Sequence, residues 1–71
     1  MFNLKNLKQL RTHQNLTQKQ MANLLQITER QYRRYESLKV EIPISKLIIL
    51  ADYFQVSIDY LIGRTNNSIT L

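Results

Sequence analysis

The chain has 71 residues, a formal net charge of +5, one glycine, one proline and no cysteine. This length permits one small domain, and the lack of cysteine excludes disulfides and thiolate metal sites, as is typical of a protein of the reducing cytoplasm. The scarcity of glycine and proline favours an all-helical fold, and no apolar stretch approaches the ~20 residues that a membrane span needs.

The charges are unevenly distributed along the chain. Residues 1–40 contain eight of the ten Lys and Arg residues but only two of the five acidic residues, Glu29 and Glu36. Residues 41–71 therefore carry a small excess of negative charge. A polyanion such as nucleic acid is expected to bind the N-terminal half, although a solvated charged surface is the simpler interpretation of charge alone.

Leucines at helical spacing predict the first helix, roughly over residues 3–14. Leu4, Leu7 and Leu10 form its apolar face, with polar residues between them. Asn15 tolerates the left-handed backbone conformation that ends many helices, so we expect the helix to stop there.

Two capping boxes, eleven residues apart, predict two short helices joined by a sharp turn. Thr17 and Gln20 form the first box, and Thr28 and Gln31 form the second. The predicted helices cover residues 18–25 and 29–37. This spacing is that of a helix-turn-helix, a unit that places its second helix in the major groove of DNA. The small Ala22 suits the crossing of the two helices.

Pro43 fits the first turn of a fourth helix over residues 43–54, because that position needs no backbone donor. The residues expected on its buried face are Ile44, Leu47, Ile48 and Ala51, with Leu50 or Phe54. Ser57 is expected to cap a fifth helix, which Gly63 ends.

The predicted architecture is therefore all-α, a compact five-helix bundle that contains a helix-turn-helix. Residues 1–64 are expected to form the domain and residues 65–71 a short polar tail.

The outer face of the third helix carries side chains suited to reading base edges. Arginine can donate two hydrogen bonds to guanine, a glutamate can accept from cytosine or adenine, and threonine can contact a thymine methyl group. The predicted base-reading residues are Thr28, Glu29, Arg30, Arg33 and Arg34. The residues predicted to bind DNA phosphates, at the two ends of the motif, are Thr17, Gln18, Lys19, Ser37 and Lys39.

Other chemistries find less support in the sequence. His13 has no cysteine or acidic cluster near it, so a surface histidine is favoured over a metal ligand, and no metal or other cofactor is predicted. The tyrosines fit core or interface positions better than a platform for single strands. A glycine-rich phosphate loop and a cysteine nucleophile are both missing from the sequence, so we do not expect an enzyme.

The chain resembles the Xre family of bacterial and phage repressors, whose DNA-binding domain has the five-helix lambda-repressor-like fold. The resemblance lies in LKQLR at 7–11, LTQKQMANLL at 16–25, RQYRRYE at 30–36, EIPISKLIILADYF at 41–54 and VSIDYLIGR at 56–64. It implies an ion pair between Arg11 and Glu36 that joins the first helix to the end of the third. It also implies that Gln18 contacts phosphate and that Tyr35 occupies an aromatic core position.

Three residues depart from the family pattern. Gln26 replaces the glycine usual in the turn of the motif, Leu38 replaces the glycine that usually follows the third helix, and Val40 replaces a frequent basic residue. The connector 38–40 is expected to pack against the domain, with contact to a partner as the alternative.

The resemblance and the motif together predict a sequence-specific, double-stranded DNA-binding transcriptional regulator of the cytoplasm, bacterial or phage-encoded and most simply a repressor. One recognition helix reads only about four to six base pairs, so we expect a homodimer on a palindromic operator. The predicted dimer interface comprises Tyr53, Val56, Ile58, Tyr60 and Ile62. The alternative is an antitoxin or anti-repressor that binds a protein partner through Leu38–Val40 or through the tail with Ile69 and Leu71.

Overall fold

The computed structural model describes residues 3–65, which form five α-helices and no strand. The helices are α1 (Lys5–His13), α2 (Gln18–Leu25), α3 (Glu29–Glu36), α4 (Ile44–Phe54) and α5 (Ile58–Leu61). The predicted all-α, five-helix architecture is confirmed. The predicted tail, with Ile69 and Leu71, lies outside the described residues except at its first position, and the domain boundary before it stays a prediction.

Side-chain caps begin three of the helices. The predicted capping box of α2 is complete, because Gln20 N–H donates to Thr17 Oγ1 at 3.0 Å and Thr17 N–H donates to Gln20 Oε1 at 2.8 Å. At α3, Thr28 Oγ1 accepts from Gln31 N–H at 3.1 Å. The side chain of Gln31 makes no return bond, so the second predicted box is half formed. Ser57 caps α5 as predicted.

The two helices of the motif pack directly against each other, while α4 and α1 both contact α5. Ala22 on α2 and Tyr32 on α3 are both fully buried, as the close approach of these helices requires. Tyr35 is buried as well, so both α3 tyrosines face inward and the arginines of the same helix face outward.

The core draws on every helix and on the segments beside them. Its buried apolar members are Leu4, Leu7, Met21, Ala22, Leu25, Tyr32, Tyr35, Ile42, Leu47, Leu50, Ala51, Phe54, Val56 and Leu61. Lys46 Nζ donates to the carbonyl of Leu25 at 2.9 Å, which ties α4 to the end of α2.

The prediction that Ile44 and Ile48 lie on the buried face of α4 is wrong. Their exposed fractions are 62% and 48%, respectively. The buried stripe of α4 runs through Leu47, Leu50 and Phe54, three and four residues apart. Because each helical residue advances by about 100°, Ile44 and Ile48 lie on a flank beyond this stripe. We call this surface the α4 flank.

Among residues 3–65, four residues other than glycine adopt the left-handed backbone conformation, with φ between 57° and 62°. They are Asn15, Gln26, Leu38 and Gln55. Each lies at or just after the end of a helix, where this conformation terminates the hydrogen-bond ladder. Asn15 was predicted to do so. Gln26 and Leu38 stand where the family pattern has glycine, so the backbone keeps the conformation of glycine although the residue differs.

Replacing Leu38 by glycine is expected to raise the free energy of unfolding by about 0.5–1 kcal/mol. Glycine relieves the clash of Cβ in the left-handed region, and the greater entropy of unfolded glycine offsets part of that gain. Leu38→Ala is the matched control, because it removes the same half-exposed apolar side chain but keeps Cβ. Urea unfolding measures both variants, and equal stability of the two would contradict backbone strain at Leu38.

Candidate nucleic-acid interface

The carboxylate of Glu36 joins α1, α2 and α3. Arg11 Nε donates to Glu36 Oε2 at 2.7 Å, and Arg11 Nη2 donates to Oε1 at 3.2 Å. Gln18 Nε2 donates to Oε1 at 3.2 Å, and Tyr32 Oη donates to Oε2 at 2.5 Å. Arg11 Nη1 also donates to the carbonyl of Leu16, just before α2, at 2.9 Å. We call Glu36 and its three side-chain partners the Glu36 network.

This network is shielded from water. The side chains of Arg11 and Glu36 are only 11% and 5% exposed. Burial acts to raise the pKa of Glu36, but hydrogen bonds from Arg11, Tyr32 and Gln18 outweigh it and hold that pKa below its ordinary value. Burial, together with the bond to Glu36, raises the pKa of Tyr32, so its phenol remains a protonated donor. The geometry therefore favours a charged carboxylate at this position.

The five predicted base-reading residues are all exposed on α3 or at its start. Thr28 caps the helix through its oxygen, which leaves its methyl group and its hydroxyl proton available. Glu29, Arg30, Arg33 and Arg34 form no ion pair and no side-chain hydrogen bond with any residue from 3 to 65. Their charged groups are therefore available to a ligand.

A groove of about 450 Å³ runs beside the outer face of α3. Its lining residues are Lys8, Gln18, Arg30, Arg33, Arg34, Glu36, Ser37 and Lys39. Five of them are cationic, and Glu36, the one acid among them, is already paired with Arg11. We call this positively charged depression the basic groove.

The predicted phosphate-binding residues divide between this groove and other positions. Gln18, Ser37 and Lys39 line it, whereas Thr17 and Lys19 do not. The hydroxyl oxygen and the backbone N–H of Thr17 are already used in the capping box. Lys8 also lines the groove, although it is not among the residues predicted from the sequence. The leucine spacing indicates that Lys8 points outward from α1. It does not indicate that α2 and α3 lie beside this residue.

The predicted dimer residues do not form one surface. Val56 is 5% exposed and packs in the core, so it is not available for contact with another subunit. Tyr53 is 49% exposed and lies beside α2. Tyr60 is half-buried, and its carbonyl accepts from the side chain of Asn6 at 2.8 Å.

The remaining two residues of that set, Ile58 and Ile62, are half-buried and line an apolar groove on a different side of α4 from Tyr53. The other lining residues of this apolar groove are Glu41, Ile42, Pro43, Ile44 and Leu47. The apolar groove therefore continues onto the α4 flank at Ile44.

The connector after α3 packs only in part. Val40 is half-buried against the core, as expected, whereas Leu38 is 48% exposed.

Among residues 3–65, no cluster of histidine, cysteine and acidic side chains has the composition of a metal site. In the same part of the chain, no helix combines the length and the apolar character that a bilayer crossing requires.

Comparison with known proteins agrees with this geometry. A family model described as helix-turn-helix matches residues 7–61. The chain is similar to the uncharacterized HTH-type transcriptional regulator YobD of Bacillus subtilis (strain 168), with 39% identity over 61 residues that make up 86% of this chain and 54% of that protein. It is also similar to the crystal structure of a transcriptional regulator from Listeria innocua, with a TM-score of 0.81 and 38% identity. That alignment covers 90% of this chain and 60% of the other, so the chain spans between half and two thirds of the length of these relatives.

The free energy of unfolding is expected to fall as the pH drops below about 4.5, the ordinary pKa of a glutamate. Because the folded pKa of Glu36 is depressed, its stabilising contribution is complete above the unfolded pKa and is lost as the pH falls through the folded pKa. Glu36→Gln should flatten this pH dependence. Urea unfolding at several pH values measures it.

Glu29→Gln is the matched control for this experiment, because Glu29 lies on the same helix but is exposed and forms no ion pair with a described residue. It should keep the pH dependence of the wild type. If the two variants behave alike, Glu36 does not carry the effect.

Proposed function

This chain belongs to the Xre, or lambda-repressor-like, family of helix-turn-helix transcriptional regulators, and we propose that it is a sequence-specific DNA-binding repressor. The observation that supports this proposal is the outer face of α3, where Glu29 and three arginines are exposed and unpaired among the described residues. The family consists of DNA-binding regulators rather than enzymes. Repression follows from occupying an operator that overlaps a promoter, in the cytoplasm of a bacterium.

In the proposed complex, α3 lies in the major groove and its side chains contact base edges. Arg30 and Arg34, four residues apart, present guanidinium groups that can donate two hydrogen bonds each to guanine. Glu29, in the first turn, accepts from the amino group of cytosine or adenine. Because a carboxylate only accepts, it repels base edges that present acceptors alone, and so it contributes to rejection of incorrect sequences.

Two copies of the chain are proposed to bind together. A single α3 contacts about four to six base pairs, too few to define a unique site, so a dimer must read two half-sites about one helical turn apart. The α4 flank is the surface we propose for this contact, because Ile44 and Ile48 are exposed apolar residues next to the apolar groove of Ile58 and Ile62. This surface excludes Val56, which is buried, and Tyr53, which lies on the other side of α4.

The second candidate, a protein-interaction module, is favoured by one observation. Leu38 is a half-exposed apolar residue in a left-handed conformation, at a position where glycine has a lower conformational cost. Contact between Leu38 and a protein partner would explain why leucine occupies this position in spite of that cost. The DNA-binding proposal rests on more side chains, because the whole outer face of α3 and the basic groove support it.

Arg34→Ala or Arg30→Ala is expected to weaken operator binding by about 1–3 kcal/mol, with a smaller loss on a scrambled duplex, because each arginine reads a base edge. The operator is obtained by selection from random duplexes, and titrations on the two duplexes measure the effect. Lys39→Ala is the comparison variant and should weaken both complexes equally. Equal losses on both duplexes for the arginine variants would contradict base reading.

Ile44→Asp is expected to abolish dimer formation and to weaken operator binding at least tenfold, because it places a charge in the proposed apolar contact. The fold should survive, since Ile44 is 62% exposed. Tyr53→Ser is the matched control, an exposed α4 residue outside the proposed surface. Sedimentation equilibrium measures self-association, and a dimer lost in Tyr53→Ser but kept in Ile44→Asp would place the interface on the other side of α4.

A further inference from the structure

Lys8 is the one residue of α1 that lines the basic groove, whose other lining residues lie on α2, on α3 or just after α3. It belongs to α1 and is exposed, and it lines the groove together with Gln18 of α2 and with Ser37 and Lys39 after α3. Three separate segments therefore present hydrogen-bond donors to the same depression.

The position of Lys8 is set by the Glu36 network. Lys8 precedes Arg11 by three residues, so the two side chains are neighbours along the surface of α1. Arg11 is held on Glu36 at 2.7 Å, which fixes α1 relative to the end of α3. The Lys8 stem thus projects from a helix that cannot shift without breaking the buried pair.

The charge of Lys8 is not neutralised by the groove. The acid that lines the groove, Glu36, is paired with Arg11, and Lys8 forms no ion pair with any residue between 3 and 65. Gln18 gives one amide proton to Glu36 and retains a second. The groove therefore offers two ammonium groups and an amide proton without a matching acceptor, and such a site suits a phosphate oxyanion.

We propose that the basic groove binds a phosphate group, with Lys8 and Lys39 as its cationic ligands. This inference rests on the proposed function, in which the phosphate belongs to the DNA backbone beside the α3 contact. A free phosphorylated molecule has the same chemistry and would compete with DNA for the groove. In either case α1 becomes part of the ligand-binding surface.

The test compares Lys8→Ala with Lys5→Ala in the full chain. Lys5 is also exposed on α1 but does not line the groove, so each variant removes one positive charge from the same helix. For Lys8→Ala, the slope of log K against log salt should fall in magnitude by about 0.9, with binding about five- to eightfold weaker near 0.1–0.15 M salt. The loss should be equal on operator and scrambled duplexes. Lys5→Ala should bind like the wild type. Lys8→Arg keeps the positive charge, so its slope of log K against log salt should equal that of the wild type.

The outcomes separate this inference from the proposed function. If the wild type selects an operator but the Lys8 and Lys5 variants bind it alike, the groove inference is overturned and the function stands. A loss confined to the operator makes Lys8 a base-reading residue and also overturns the inference.

If the wild type binds no DNA, the proposed function fails, and inorganic phosphate becomes the probe, with chloride at equal ionic strength as its control. Shifts of the amide resonances of Ser37 and Lys39 that disappear in Lys8→Ala would support a site for free phosphate. Shifts common to phosphate and chloride would overturn the inference.

Discussion

The buried carboxylate of Glu36 is the constraint on which the rest of this small domain depends. An unpaired charge at this depth would be costly, and here it accepts hydrogen bonds from Arg11, Gln18 and Tyr32. A buried ion pair contributes little net stability compared with a well-packed apolar pair, but loss of one partner leaves the other uncompensated. The network therefore acts mainly through geometry, because it allows one arrangement of α1, α2 and α3. The positions of the outer face of α3 and of the basic groove both follow from that arrangement.

Local chemistry made most of the fold predictable from sequence. Thr17, Thr28 and Ser57 mark the starts of α2, α3 and α5, because a side-chain oxygen at that position satisfies a backbone donor that the helix leaves unpaired. The buried face of α4 could not be predicted in the same way. Ile44 and Ile48 are as apolar as the residues that are buried, so periodicity alone does not distinguish the core stripe from an exposed flank. Tertiary contacts with the rest of the domain decide between them.

The candidate site was predictable to the extent that it lies on one helix. Glu29 and the arginines of α3 follow from helical spacing within the motif, whereas the pairing of Arg11 with Glu36 came only from family resemblance. The place of Lys8 in the basic groove could not be predicted, because it depends on which helices meet at α1 and not on its neighbours in the chain. The left-handed Gln26 shows the same limit for the backbone. The end of α2 needs the left-handed conformation there, where Ile27 N–H donates to the carbonyl of Ala22 at 3.0 Å, although glutamine itself does not favour it.

Glu36 is the last residue of α3, so its hydrogen bonds to Arg11 of α1 and Gln18 of α2 make the C-terminal end of this helix a pivot. Glu29 lies seven residues from Glu36, about 10 Å along the helix axis. A tilt of about 5° at the pivot therefore moves Glu29 by roughly 1 Å, beyond the tolerance of a hydrogen bond, while Arg33 and Arg34 shift by less than half as much. In the proposed complex, small disturbances of this pivot would weaken the contacts of Glu29 before those of Arg33 and Arg34. The base contacts proposed for α3 are thus expected to be lost in a fixed order along the helix, starting from its N-terminus.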